Sequence, residues 1–265
     1  MWKTAGLLFT LLGWSHYLQA QNLPNMNRIV GGHIARIEDY PYMVHVLHNN
    51  RCSGAIINNN TVLTAAHCIF RRSIDGTVIA GETLFHKNTY PKGHLFKTVW
   101  AKMHPDYDDI TKANDIAIVR IDGFFEYSDK IKPIELLDDE VPAGEFCAIS
   151  GWGKTTLARP KKGPKPSVSF QAIPLRAAEV PIVSDELCNK IYARSVFAYK
   201  DTNICAGYKK GGIDTCLGDS GGPLVYKGKQ IGIVSWGYGC ADARYPGVYT
   251  KVRKYLAWIA ETASQ

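Results

Sequence analysis

Apolar residues in this chain come in many brief runs rather than in a few long ones. Met43–Leu47, Gly54–Ile57, Val62–Ala66, Ile116–Ile121, Cys147–Trp152, Pro223–Val225, Ile231–Trp236 and Gly247–Val252 are each three to six residues long. They are rich in Val, Ile and Tyr and are broken by Gly, Pro and Asn, the pattern of closely spaced β-strands in an all-β protein. Helical spacing emerges only at the end of the chain. There Val252, Tyr255, Leu256, Trp258 and Ile259 recur at intervals that predict a terminal helix with one buried face.

The beginning reads differently. Met1-Trp2-Lys3 precedes an apolar run from Thr4 to Trp14, the length of a secretory signal's core, with Ala20 as the residue before the cut. A membrane span needs about 18–20 apolar residues, and no stretch reaches that. The expected organisation is a signal peptide over 1–20, a short polar segment over 21–28 and one globular unit over 29–265. Composition adds little: 46% apolar and 21% charged residues are an ordinary globular balance. The formal net charge is +7; removing residues 1–28 takes away Lys3 and Arg28 and leaves 29 basic against 24 acidic residues, or +5. That mild excess implies neither nucleic acid nor a membrane surface as partner. Secretion makes the seven cysteines candidates for pairing, with one left over.

Three separated motifs carry the chemistry: Thr64-Ala65-Ala66-His67-Cys68, Asn114-Asp115-Ile116-Ala117 and Gly218-Asp219-Ser220-Gly221-Gly222-Pro223. A serine hydroxyl is a weak nucleophile at neutral pH, so it needs a base within reach and a group that orients the base. Ser220, His67 and Asp115 supply those three types. Each alone has a plainer reading, since a serine in a glycine-rich turn is ordinarily turn chemistry.

The order His, Asp, Ser with these flanks resembles the chymotrypsin/trypsin family of serine endopeptidases (peptidase family S1), from Ile29 to about Ala260. The resemblance implies two six-stranded antiparallel β-barrels with the active site between them, a crossing near Lys132–Glu145 and a C-terminal helix. It implies His67, Asp115 and Ser220 as catalytic residues, with the Gly218 and Ser220 amides as an oxyanion hole. Residues 21–28 become an activation propeptide: a cut after Arg28 frees an ammonium at Ile29, which inserts and pairs with Asp219. Gly31 and Gly32 give the backbone freedom to swing in.

Asp214, six residues before Ser220, stands where the family places the floor of its primary pocket. An acid there suits Arg or Lys before the cleaved bond, with Gly237 and Gly247 leaving room and Thr215 adding a hydroxyl. Ser235-Trp236-Gly237 resembles the segment that pairs with substrate backbone, although Trp236 also suits ordinary core packing. Lys112 falls where relatives shape the second subsite, and Leu217 makes the pocket entrance more apolar.

The family pattern pairs Cys52 with Cys68, Cys188 with Cys205 and Cys216 with Cys240, the three-disulfide set of its invertebrate branch. Cys147 is left as a free, buried thiol beside Tyr226. Each bridge closes a loop of 16 to 24 residues, worth about 3 kcal/mol in loop entropy.

Calcium is not expected, because the corresponding segment from Glu82 through His86, Lys87 and Lys92 to His104 holds too few oxygen ligands. Pro246 replaces the tyrosine of sodium-sensitive relatives, and the histidines show no zinc spacing, so no metal or cofactor is expected. Asn59-Asn60-Thr61 is a glycosylation sequon. Arg159–Pro166 is a basic, proline-rich loop: solvated surface, a binder of anionic polymers, or a self-cleavage target after Lys161 or Lys162.

The expected product is a secreted, monomeric endopeptidase acting on protein or peptide substrates, switched on by a trypsin-like protease (itself included) and open to protein inhibitors. Broad or digestive action is the first reading. A selective protease of a proteolytic cascade and a non-catalytic binding homologue are the alternatives.

Overall fold

None of the short runs can bury an apolar face alone, so they pair until no edge is left over. The computed structural model describes residues 29–48, 50–71, 76–85, 93–154, 173–197 and 199–265. Met43–His48 (β1), Asn50–Asn58 (β2), Thr61–Thr64 (β3), Thr77–Ala80 (β4), His94–Met103 (β5) and Ala117–Ile121 (β6) close into one barrel in the order β1-β2-β3-β6-β5-β4. Phe146–Gly151 (β7), Arg176–Val183 (β8), Asn203–Ala206 (β9), Pro223–Tyr226 (β10), Lys229–Trp236 (β11) and Gly247–Lys251 (β12) close into a second. Its ring runs β7-β8-β9-β12-β11-β10, the same wiring as the first, and every pairing within both rings is antiparallel. Between Ile121 and Phe146 the chain crosses from one barrel to the other, and Glu135–Leu136 lies parallel to β11 on the way.

Each barrel has its own core. Val44, Val46, Ile56, Val62, Leu63, Ile118 and Val119 fill the first, and Ile149, Val180, Ile204, Leu224, Val234 and Tyr249 the second. A third cluster, with Met43, Ile79, Phe85, Trp152, Leu175 and Ala177, joins them. The C-terminal segment is a 3-10 turn, Val252–Tyr255, that runs into the α-helix Leu256–Ala263. Val252, Tyr255 and Ile259 are buried as the spacing predicts, but they pack into the first barrel's core although the helix follows the second. Each such apolar side chain contributes about 1.5–3 kcal/mol when fully buried, so the terminal helix fastens one barrel to the other.

The eight apolar runs all fall on strands, with Ala66 passing into the 3-10 turn Ala66–Cys68 and Val252 into the 3-10 turn Val252–Tyr255. Four of the twelve barrel strands had no such signal. β5 alternates polar and apolar residues and is largely exposed, β8 contains Arg176, Glu179 and Pro181, and β4 and β9 are only four residues each. A second helix also corrects the expectation of helix only at the end: Asp185–Tyr192, where Ser184 Oγ accepts from the Leu187 amide as N-cap. Only Cys188 and Tyr192 of that helix are buried, too few to show a period. Among the described residues no helix is long and apolar enough to cross a membrane. Residues 1–28, including Arg28, the basic loop 159–166 and residues 86–92 lie outside the described residues.

Candidate active site

β3 and β6 are antiparallel neighbours with Thr64 opposite Ala117. The residues just after β3 and just before β6 therefore emerge at the same end of the first barrel. His67 stands on the 3-10 turn three residues past Thr64, and Asp115 two residues ahead of Ala117. The His67 amide donates to Asp115 Oδ1 at 2.9 Å, and His67 Nδ1 lies 2.7 Å from Oδ2. A carboxylate only accepts, so Nδ1 carries the proton and Nε2 is left as the basic nitrogen. Asp115 is fully buried and also accepts from Ser235 Oγ at 2.6 Å, while its backbone carbonyl accepts from Thr250 Oγ1 at 2.8 Å. Burial pushes its carboxyl pKa up, but the His67 charge and the hydrogen bonds from His67 and Ser235 outweigh burial and hold it below the ordinary value. This role for the Ser235 side chain stands beside the substrate pairing expected of its backbone, and Ser235 also lines the cavity behind Ser220.

Ser220 comes from the second barrel, in the turn before β10. The Ser53 amide of β2 donates to the Ser220 carbonyl at 2.8 Å, and Ser53 Oγ to the Gly218 carbonyl at 3.2 Å. Gly221 next door has φ +79°, and a Cβ there would collide with Thr64 Oγ1 and come within 2.5 Å of the Ser53 carbonyl oxygen. Only glycine lets the serine turn press against the strand end that carries His67. Among the described residues Ser220 Oγ makes no hydrogen bond to His67; such contacts commonly tighten only when substrate is bound.

Two amides of this turn are unused. The N–H groups of Asp219, Gly221 and Gly222 all donate to backbone carbonyls, whereas among the described residues those of Gly218 and Ser220 donate to none. Gly218 has φ +105°, which turns its amide as few other residues could. Two open donors flanking a nucleophile are what a developing oxyanion requires, each worth about 3–4 kcal/mol in such sites.

Behind Ser220 opens a cavity of about 320 Å³, lined among others by Asp214, Thr215, Trp236, Gly237 and Gly247. Asp214 is buried; Oδ1 accepts from the Thr215 amide at 2.8 Å and Oδ2 from the Ala241 amide at 2.9 Å. Burial drives its carboxyl up to about 6, against those hydrogen bonds. No cation offsets the charge among the described residues. A Cβ at Gly247 would lie 2.8 Å from Asp214 Oδ1, so a side chain there would cover the acid. Leu217 is exposed at the cavity's edge. Trp236 lines the cavity and packs on Tyr192 at 4.8 Å and Phe197 at 5.2 Å. Phe197 also lines the cavity, and nothing in the sequence singled it out.

Asp219 points the other way, into the protein. It is fully buried, with Oδ1 accepting from the Gly153 amide at 2.7 Å and Oδ2 from the Cys216 amide at 2.9 Å. Ile29 is fully buried in the second barrel's core, and Val30 forms a β-bridge with Asp214. Lys112 is held by Asp109 at 2.7 Å and Tyr107 at 3.2 Å.

Cys52–Cys68, Cys188–Cys205 and Cys216–Cys240 are bonded, and Cys147 is free and buried in the core that Tyr226 packs against. Cys52, His67 and Cys68 cluster as metal ligands do, but both sulfurs are spent in the disulfide. Asn59 sits exposed in the β2–β3 turn.

Comparison with known proteins gives the same picture. The Trypsin family's sequence pattern matches residues 29–259. The chain is 36% identical to Trypsin 5G1 of Aedes aegypti over 95% of its length and 91% of that protein's. It is 35% identical to the Vitellin-degrading protease of Bombyx mori (96% and 92%) and 38% to Trypsin II-P29 of Gallus gallus (89% of each). Barrels, disulfides and sequence agree: this chain belongs to the trypsin family and is a trypsin-like serine endopeptidase.

Proposed function

We propose that this endopeptidase is secreted as a zymogen, is activated by cleavage after Arg28, and hydrolyses peptide bonds that follow Arg or Lys. His67 Nε2 takes the Ser220 proton as Oγ attacks the carbonyl carbon, and Asp115 stabilises the imidazolium that results. The Gly218 and Ser220 amides receive the oxyanion. His67 then returns the proton to the leaving amine, and water resolves the acyl-enzyme by the same steps in reverse roles.

One observation carries the specificity: a buried Asp214 whose oxygens meet, among the described residues, only neutral donors, in a cavity that reaches Ser220. A guanidinium or ammonium entering there supplies the missing countercharge, and an uncharged side chain does not. Asp214→Ser is expected to abolish cleavage after Arg and Lys while an organophosphonate still labels Ser220. Unchanged Arg/Lys preference in that variant would remove the pocket assignment.

Activation rests on Asp219, a buried acid with no cation bonded to it among the described residues, and on the equally buried Ile29, whose neighbour Val30 bridges to Asp214. The activator is a protease of the same specificity, this one included, because the residue before Ile29 is Arg28. The mature chain acts as a monomer on protein substrates with broad, digestive-type selectivity, and a protein inhibitor would occupy the same cavity. Cuts after nearly every accessible Arg and Lys of a protein mixture are expected; one dominant site would favour a regulatory role.

A further inference from the structure

The oxyanion turn is braced from several sides, and one brace has no part in the chemistry above. The segment after β7 is stitched to the turn by Gly153 N donating to Asp219 Oδ1 and Lys154 N donating to the Leu217 carbonyl at 2.8 Å. Arg51, on β2 of the other barrel and directly before Cys52, reaches the same place. Its Nη2 donates to the Trp152 carbonyl at 3.1 Å, and its guanidinium lies 5.0 Å from the centre of the Phe85 ring. A Cβ on Gly218 would come within 3.0 Å of that Nη2 and 3.2 Å of Gly153 Cα. Arg51, Gly153 and Gly218 are thus packed as one stack.

We propose that Arg51 is a positioning residue for the reaction: from the first barrel it clamps the Trp152–Gly153 segment under the Gly218–Ser220 turn and keeps the two open amides aimed at the oxyanion. The inference rests on the oxyanion role given to those amides. Charge works in the same direction. Burial drives the Asp219 carboxyl up to about 7, and Arg51 joins the Cys216 and Gly153 amides in opposing it. The residue packed at 3.8 Å on Trp152 is His45, which burial and then Arg51 keep neutral, so His45 adds no second cation there. A guanidinium suits the place because it can sit over the Phe85 ring while one nitrogen donates to a carbonyl.

The test uses the mature enzyme with Arg51→Met, which keeps a long stem and removes the fork, read with two ligands. Benzamidine fills the Asp214 cavity and stops short of the turn. An arginine aldehyde fills the cavity and places its adduct oxygen at the two amides. The expected result is a loss of about tenfold in kcat on an arginine anilide with KM unchanged, a matching loss of aldehyde affinity and unaltered benzamidine binding. Equal weakening of both ligands, or of neither, overturns the proposal; the second outcome would leave Arg51 as a contact for substrate beyond the cleaved bond. Should Arg51→Met fail to fold, Arg51→Lys is read in the same way, with a smaller loss confined to the aldehyde expected. A wild-type enzyme that binds the aldehyde no better than benzamidine refutes the oxyanion reading itself, and the proposal with it.

Discussion

Cutting before Ile29 should change how stability depends on pH, and Asp219 sets the size of the effect. In the uncut chain this carboxyl is fully buried, and burial raises its pKa from the ordinary 3.8 to about 7 despite the Cys216 and Gly153 amides and Arg51. The folded state therefore holds a proton that the unfolded state releases. Asp219's contribution is fully present below about pH 3.8 and is lost as pH rises through about 7. A rise from 3.8 to about 7 corresponds to a loss of about 4 kcal/mol at pH 8. If, as proposed, the new ammonium at Ile29 pairs with Asp219, the carboxylate ionises in place and the cleaved chain escapes that loss. Asp214, pushed up to about 6 by burial, contributes equally to both forms and cancels. Calorimetric melts of the Ser220→Ala chain, before and after cleavage, should diverge between pH 4 and pH 8 by about 10 °C in Tm, with the uncut form falling. Parallel curves over that window would refute the assignment of Asp219 as the ammonium's partner.

Two further outcomes are expected. Ser235→Ala removes the 2.6 Å donation to Asp115, a bond to a charged group worth about 1.5–3 kcal/mol. Asp115's depressed pKa stabilises the fold above the unfolded value of 3.8 and loses its contribution as pH falls through the lower folded value. The variant should unfold at a higher pH than wild type in an acid titration followed by circular dichroism, with kcat lowered about tenfold or more; an unmoved acid midpoint would count against the bond. The Cys147 thiol is raised to about 12, first by burial and then by Glu145 and Glu179. It should ignore a disulfide reagent at pH 8 in the native protein and react as one thiol per chain in denaturant, and rapid native reaction would contradict its burial.

Much of the site was legible because its chemistry sits in short motifs. His67, Asp115, Ser220 and Asp214 are recognisable from side-chain type and immediate neighbours, and the cysteine pairs follow the family pattern that those motifs indicate. Fold class was legible too, since eight apolar runs with turn residues between them leave little besides strands. β5 and β8 escaped because their mixed residues match partners across a barrel rather than a local period. The helix Asp185–Tyr192 escaped because only two of its side chains are buried. The bond from the Ser235 side chain to Asp115 escaped for a similar reason: its partner is 120 positions away.

From the amino acids alone came the inventory of groups able to move a proton, form an ester, neutralise a cation and cross-link the chain. Which of them meet was decided by barrel closure and docking. The β3–β6 pairing brings His67 to Asp115, Gly221 lets a turn of the second barrel press on the first, and β2 lends Ser53 and Arg51 to that turn. Proton transfer needs heavy atoms about 2.6–3.2 Å apart. Separations that fine depend on how distant strands pack, and no run of residues read in order contains them.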